Sequence, residues 1–271
     1  MAPERKSLKA KMQPALLRER IEVTGPEVVI FKIAPKSGEA FAFKPGQYAT
    51  LGLDIGERFV ARAYSIASSP YTRDELEFYI NVIDQGEFTP SLFALAPGDE
   101  VYHMGPKGIF TLKKSDAQHL LFIATGTGLA PYVSMLRTMH IDQCAGRPHG
   151  RVITLVHGVR YSNDLGYRDE LRELASDPSF NFVYLPLVSR PDDDPDWTPD
   201  LGRGRITELF QEDTARAAEA LPNQMSAELV FSRLPYDSLG VFLCGNPDMI
   251  RDSTALLKER GVQNVITEEY W

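Results

Sequence analysis

The feature that most limits how this chain can fold is a change of rhythm near residue 115. Before it, short apolar stretches alternate with period two and are cut by Gly and Pro turns. The candidate strands are 27–34, 47–53, 59–67, 76–83, 99–105 and 108–112, separated by KSGE, KPGQ, DIGE, DQGE and APGD. Alternation at that period lines one face of a strand, and turns so closely spaced leave little room for helix. These stretches predict a six-stranded antiparallel barrel. After residue 115, continuous apolar runs at 120–124, 151–159, 180–188, 240–245 and 264–270 alternate with helical stretches. The helical stretches start at Pro131 and cover 166–176, 206–213 and 248–260. Buried runs joined by helices predict a five-stranded parallel, doubly wound sheet.

The division that follows is a flexible lead-in at 1–20, a barrel domain at 21–115 and an α/β domain at 116–271. A length of 271 residues suits two cores. The acidic, proline-rich stretch 191–200 is expected as an exposed loop, and 214–239 has no clear pattern.

Composition narrows the classes of function. Two cysteines, Cys144 and Cys244, form no disulfide framework and suit a cytoplasmic location. They are too few for a protein-bound iron–sulfur cluster, and the five histidines show no metal-ligand spacing, so no metal site is expected. No apolar run approaches the ~18 residues that a membrane span needs, and the N-terminus carries no secretory signal pattern. The net charge of −8 argues against nucleic acid as the main partner. Residues 1–115 hold 15 basic and 14 acidic side chains, a net of +1, and the remainder holds 14 and 23, a net of −9. An acidic partner would therefore be met by the first half.

In an open α/β sheet, ligands bind beyond the carboxyl ends of the strands. The residues expected there are Thr125-Gly126-Thr127-Gly128, His157-Gly158-Val159-Arg160, Ser189-Arg190, Cys244-Gly245-Asn246-Pro247 and Glu268-Glu269-Tyr270-Trp271. The first of these runs into Pro131, which suits a first helical turn. A strand, a glycine loop and a helix start can hold a phosphate on backbone N–H groups. Arg160 stands where an acidic residue usually grips a ribose hydroxyl, which favours a 2′-phosphate and hence NADP. In the first half, Arg62-Ala63-Tyr64-Ser65 would offer a cation, an aromatic plate and a small hydroxyl on one strand. Those three groups suit a flavin dinucleotide, as does the turn Gly86-Glu87-Phe88-Thr89-Pro90 before a short helix.

The ordered set R-x-Y-S, G-x-x-[ST], G-T-G-x-x-P and C-G-N-P, closing on Tyr-Trp, resembles the bacterial ferredoxin/flavodoxin–NADP reductases over residues 20–271. The resemblance implies an N-terminal Greek-key barrel that binds FAD and a C-terminal sheet that binds NADP(H). It implies that Arg62 meets the FAD phosphates, that Tyr64 packs on the flavin and that Ser65 stands near its N5. Ala63, Tyr79, Glu87, Phe88 and Thr89 would line the rest of the FAD, with Tyr270 and Trp271 covering it. Thr127 would stand where flavin and nicotinamide meet. Gly126, Gly128 and Gly245 would carry the NADP backbone, and Arg160, Arg190 and Arg205 its 2′-phosphate, with Arg203 a competitor for Arg205. Cys244 resembles a family cysteine beside the nicotinamide; a small buried residue at a strand end is the other reading. Ser65, Tyr64 and Cys244 are thus the candidate catalytic groups. The implied partner is an acidic one-electron carrier, ferredoxin or flavodoxin, served by a monomer. Two further readings stand beside this one: a reductase component of an oxygenase system, and a redox-sensing flavin-binding module.

Overall fold

The computed structural model describes residues 8–24 and 27–269. By its contacts the chain divides into two compact units. One is the chain up to Thr111 together with Ala130–Thr138, and the other is Leu112–Leu129 with Met139 onward.

The first unit is a six-stranded antiparallel sheet. Its strands are β1 (Gln13–Thr24), β2 (Val28–Pro35), β3 (Tyr48–Ile55), β4 (Arg58–Ser65), β5 (Leu76–Asn81) and β6 (Glu100–Lys107). They run in the order β4-β3-β6-β1-β2-β5. A bridge between Ile66 and Phe78 joins the two ends of that order and closes the sheet into a barrel. Val29, Phe31 and Ile33 on β2 alternate inward and meet Ala15, Leu17, Leu51 and Phe78 in one buried cluster. A short helix, α1 (Phe88–Phe93), adds Phe88, Leu92 and Phe93 to it.

The count of six agrees with the sequence, but its members differ. β1 begins at Gln13, inside the stretch 1–20 expected as lead-in, so that lead-in is too long. Conversely, 108–112 is not a strand. Gly108 turns to φ +95° after β6, Ile109 points to solvent and Phe110 folds inward onto the Tyr132 ring at 5.8 Å. The unit boundary accordingly falls at Thr111/Leu112 rather than 115/116.

The second unit is a parallel sheet of β7 (His119–Thr125), β8 (Val152–Val159), β9 (Phe182–Val188), β10 (Gly202–Arg203), β11 (Leu239–Gly245) and β12 (Asn264–Glu269). The order β10-β9-β8-β7-β11-β12 means that the chain winds outward from β7, then returns to its other side. β7 and β11 therefore flank the point where strand order reverses, which is where open α/β sheets bind ligands. The sheet has six strands, not five. The addition is β10, only two residues long and so without a readable period. A Cβ on Gly202 would meet the Leu187 side chain and the carbonyls of Ala220 and Pro186, so glycine lets this strand lie close against β9.

The helices that follow the strands are α2 (Ala130–Cys144), α3 (Arg168–Ser176), α4 (Thr214–Glu219), α5 (Ala227–Phe231) and α6 (Pro247–Glu259). α4 and α5 occupy the stretch that had no sequence pattern. The helix expected at 206–213 is a shorter 3-10 turn at Ile206–Phe210. The stretch 191–200 is not a free loop. Asp194 is buried and accepts the backbone N–H groups of Ser162 at 2.6 Å and Asp196 at 3.1 Å. Trp197 packs against Val159, Leu165, Val188 and Leu201. Among the described residues no helix is long and apolar enough to cross a membrane, and no group of three His, Cys, Asp or Glu is placed to hold a metal ion.

Candidate functional site

The parallel sheet builds its site at the reversal point. β7 ends at Thr125, and Gly126–Leu129 form a 3-10 turn that leads into α2, with Pro131 in the helix's first turn. Gly126 adopts φ +51°, a left-handed conformation that favours glycine. A Cβ on Gly128 would strike the Cys244 carbonyl at the end of β11. Gly245, at φ +130°, would carry a Cβ into the Thr125 hydroxyl. The Asn246 N–H donates to that same hydroxyl at 2.8 Å, and the Asn246 side chain caps α6 by accepting from Asp248 and Met249. The ends of β7 and β11 thus lie in close backbone contact, a surface on which a pyrophosphate can approach main-chain groups. Thr127 is half-buried in the loop.

Three arginines rim the neighbouring strand ends. Arg160 follows β8, Arg190 follows β9 and Arg205 follows β10, and all three are exposed. The ladder continues past the strands, because Ser189 N–H donates to Val159 O at 3.0 Å and Arg190 N–H to Arg160 O at 3.1 Å. That fixes Arg160 and Arg190 side by side. Arg190 also donates to the Tyr161 hydroxyl at 3.2 Å and lies over its ring, contacts that hold it extended without neutralising it. Arg203 is engaged elsewhere. It pairs with Asp192 at 3.1 Å and lies 5.8 Å from the Trp197 ring.

Two groups at this end of the sheet stand among the strand-end residues of the sequence, but the sequence assigned them no role. His157, fully buried, is hydrogen-bonded to the Gly126 carbonyl, and burial pushes its pKa down to about 4. Its signal was a histidine inside an apolar run, which a search for metal spacing passes over. Glu268 on β12 stands beside Cys244 in register, and burial pushes its carboxyl up to about 7. Its Oε2 has no hydrogen-bond partner among the described residues. Cys244 itself is fully buried, as a packed strand-end residue would be.

In the barrel, Arg62 is exposed and donates to Ala61 O at 2.9 Å. Ala63 is exposed, Tyr64 half-buried and Ser65 buried. The Tyr64 ring stacks on Phe88 with centroids 5.9 Å apart, and burial pushes its phenol pKa up against the opposing pull of the Arg62 charge. Phe88 lies in the barrel core, so its ring is part of the fold. The Thr89 hydroxyl accepts from Ile83 N–H at 2.9 Å and closes the turn before α1. Glu87 pairs with Arg58 at 2.6 Å. Tyr79 is buried on β5. The structure brings Tyr64 and Phe88 into contact and puts Arg62 two residues away on the same strand. Tyr270 and Trp271 lie outside the described residues.

Residues 15–112 match the family described as the oxidoreductase FAD-binding domain, and residues 122–255 match the oxidoreductase NAD-binding domain. Fold and matches together define an oxidoreductase with one domain for each dinucleotide. The chain is 34% identical over 214 residues to a flavodoxin/ferredoxin–NADP reductase of Shigella flexneri, covering 78% of this chain and 77% of that protein. It is 30% identical over 244 residues to a ferredoxin–NADP reductase of Pseudomonas aeruginosa, covering 86% and 85%. The chain belongs to the ferredoxin/flavodoxin–NADP reductase family. A reductase component of propane 2-monooxygenase from Rhodococcus jostii is also 30% identical, over 89% of this chain but 59% of that protein. Among solved structures, a Neisseria gonorrhoeae ferredoxin NADP+ reductase with bound FAD and NADP superposes with a TM-score of 0.77 at 24% identity, covering 96% and 99%.

Proposed function

We propose that this protein binds FAD and transfers electrons between NADPH and a one-electron carrier, ferredoxin or flavodoxin. The observation that carries the reading is the glycine loop with its exposed Arg160–Arg190 pair on adjacent strand ends, in a chain whose barrel presents Arg62 and Tyr64.

The barrel residues fit a flavin dinucleotide by their chemistry. Arg62 is a fixed cation with solvent access, Tyr64 a half-buried ring, and Ser65 a small hydroxyl on the opposite face of the same strand. When bound, FAD supplies the exchange between a two-electron nicotinamide and a one-electron carrier. The chain's own residues bind and orient. Arg62 would hold phosphate, Tyr64 would support the ring, and Ala63, Tyr79, Glu87, Phe88 and Thr89 would shape the surroundings. Ser65 would donate or accept at the ring edge.

On the sheet, the turn with Gly126, Thr127 and Gly128 and the end of β11 at Gly245 would receive the NADP(H) pyrophosphate and nicotinamide ribose. Arg160 and Arg190 would read the 2′-phosphate. Arg205 is the better third member, because Arg203 already serves Asp192 and Trp197. Buried Cys244 would act by packing. A monomer in the cytoplasm, with both cysteines free, belongs to the same reading.

The likeness to the propane 2-monooxygenase component supports a second reading, in which the electrons go to an oxygenase. Steady-state NADPH oxidation coupled separately to oxidised ferredoxin and to oxidised flavodoxin tests the choice. Reduction of either carrier supports the proposal. NADPH oxidation with neither carrier reduced would favour the second reading.

A further inference from the structure

His157 is the sixth residue of β8 and has no exposed surface. Its Nε2 lies 3.1 Å from the Gly126 carbonyl and its Nδ1 3.3 Å from the Tyr184 hydroxyl. A carbonyl can only accept, so Nε2 carries the hydrogen. The ring is neutral near pH 7, because burial holds its pKa at about 4. Nδ1 is then a lone pair, and the Tyr184 hydroxyl donates to it. Tyr184 on β9 is itself buried. One directed chain therefore runs from the Tyr184 O–H through the imidazole to the backbone of the glycine loop.

Its end point is the residue whose φ of +51° bends the loop. In a planar trans peptide the C=O and the next N–H point in opposite directions. Pinning the Gly126 carbonyl on a buried ring therefore aims the Thr127 N–H away from the sheet interior. Rotating that peptide would leave a buried imidazole N–H without a partner, which is unfavourable. The loop's direction is thus set from beneath, by a side chain that no ligand on the strand ends would touch.

We propose that His157 is a positioning residue for nucleotide binding: its hydrogen bond to Gly126 holds the glycine loop in the orientation that receives the phosphates of NADP(H). The inference rests on the reading of that loop as the NADP cradle. It assigns Tyr184 the task of fixing the tautomer.

The test uses the full-length, flavin-loaded protein and NADP+ as probe, titrated by the change in the flavin spectrum. His157→Asn and His157→Gln are compared. The asparagine amide occupies the Nδ1 position, so it reaches Tyr184 but falls short of Gly126. The glutamine amide extends to the Nε2 position and can donate to Gly126. His157→Asn is expected to raise the NADP+ Kd about 5- to 150-fold, and His157→Gln to restore it to within about threefold. KM for NADPH should follow Kd, while kcat at saturation and flavin content change little. Gly126→Val serves as the control that disturbs the loop itself, since a β-branched residue is strained at its φ of +51° and the added side chain would stand beside the loop. If Gly126→Val raises Kd but His157→Asn binds as wild type, the positioning role is wrong. The same holds if Gln proves no better than Asn. If Gly126→Val binds as wild type, the cradle reading fails and the inference falls with it.

Discussion

In the barrel, residues of the flavin motif are also parts of the fold. Phe88 sits in the core, Thr89 closes the turn before α1, and Tyr64 leans on Phe88. At the strand ends of the parallel sheet, Arg160, Arg190 and Arg205 are exposed, and Arg190 leans on Tyr161. Removing any of the three would leave no cavity and no unpaired buried group. The difference follows from what each ligand part asks for. A ring needs an apolar floor, which must be continuous with a core. A phosphate needs charge, which a core cannot supply. Substitutions in the barrel should therefore move stability and flavin content together, whereas substitutions on the rim should move recognition alone.

The largest expected effect is on the rim. Arg160→Ala with Arg190→Ala should lower kcat/KM for NADPH on the order of 10²–10⁴, at roughly 1.5–3 kcal/mol for each charged hydrogen bond lost. Steady-state kinetics with NADH should change little, and the melting temperature should hold. Equal losses with both coenzymes would mean that these arginines shape the site rather than read the phosphate.

In the barrel, Phe88→Ala should cost about 3–5 kcal/mol of stability, because a fully buried ring is removed from a packed core. Denaturant unfolding and flavin absorbance are expected to fall together. A variant with full stability and no flavin would break the proposed coupling.

Arg62→Ala sharpens the contrast, since Arg62 is exposed like the rim arginines but is proposed to serve the barrel ligand. It should weaken FAD retention by roughly 1.5–3 kcal/mol, measured by flavin release on dilution, with stability of the flavin-free protein unchanged. Full retention would remove Arg62 from the phosphate.

The smallest effect concerns pH. Burial raises the Glu268 carboxyl from 4.5 to about 7, so between those values the folded chain binds a proton that the unfolded chain does not. Stability should therefore rise as pH falls through that window, and Glu268→Gln should flatten the dependence. Melting at about pH 5 and about pH 8 checks both. The opposite slope at this residue would contradict a desolvated carboxylate whose Oε2 has no partner among the described residues.

Both layers of the fold were legible because both rest on periodicity, which survives in a single sequence. β1 was not, although Ala15 and Leu17 alternate inward. Its register shifts at Leu17/Glu19 and Glu22/Thr24, and charged residues fill the interval. β10 was too short to show a period. On the proposed site, the positions of the arginine rim and the glycine loop were readable because these residues follow their strands directly. What Arg203 does was not, since its partners Asp192 and Trp197 arrive through the folding of 191–200. His157 was hidden for a related reason. Its meaning lies in a carbonyl 31 residues earlier in the chain, and no local pattern records that pairing.

The most direct test of the central claim is anaerobic addition of NADPH to the purified protein while the visible spectrum is recorded, followed by an oxidised carrier. The flavin spectrum should bleach with NADPH, bleach far less readily with an equal concentration of NADH, and return when ferredoxin or flavodoxin is added. A protein that carries no flavin, or a flavin that NADPH leaves oxidised, would contradict that claim.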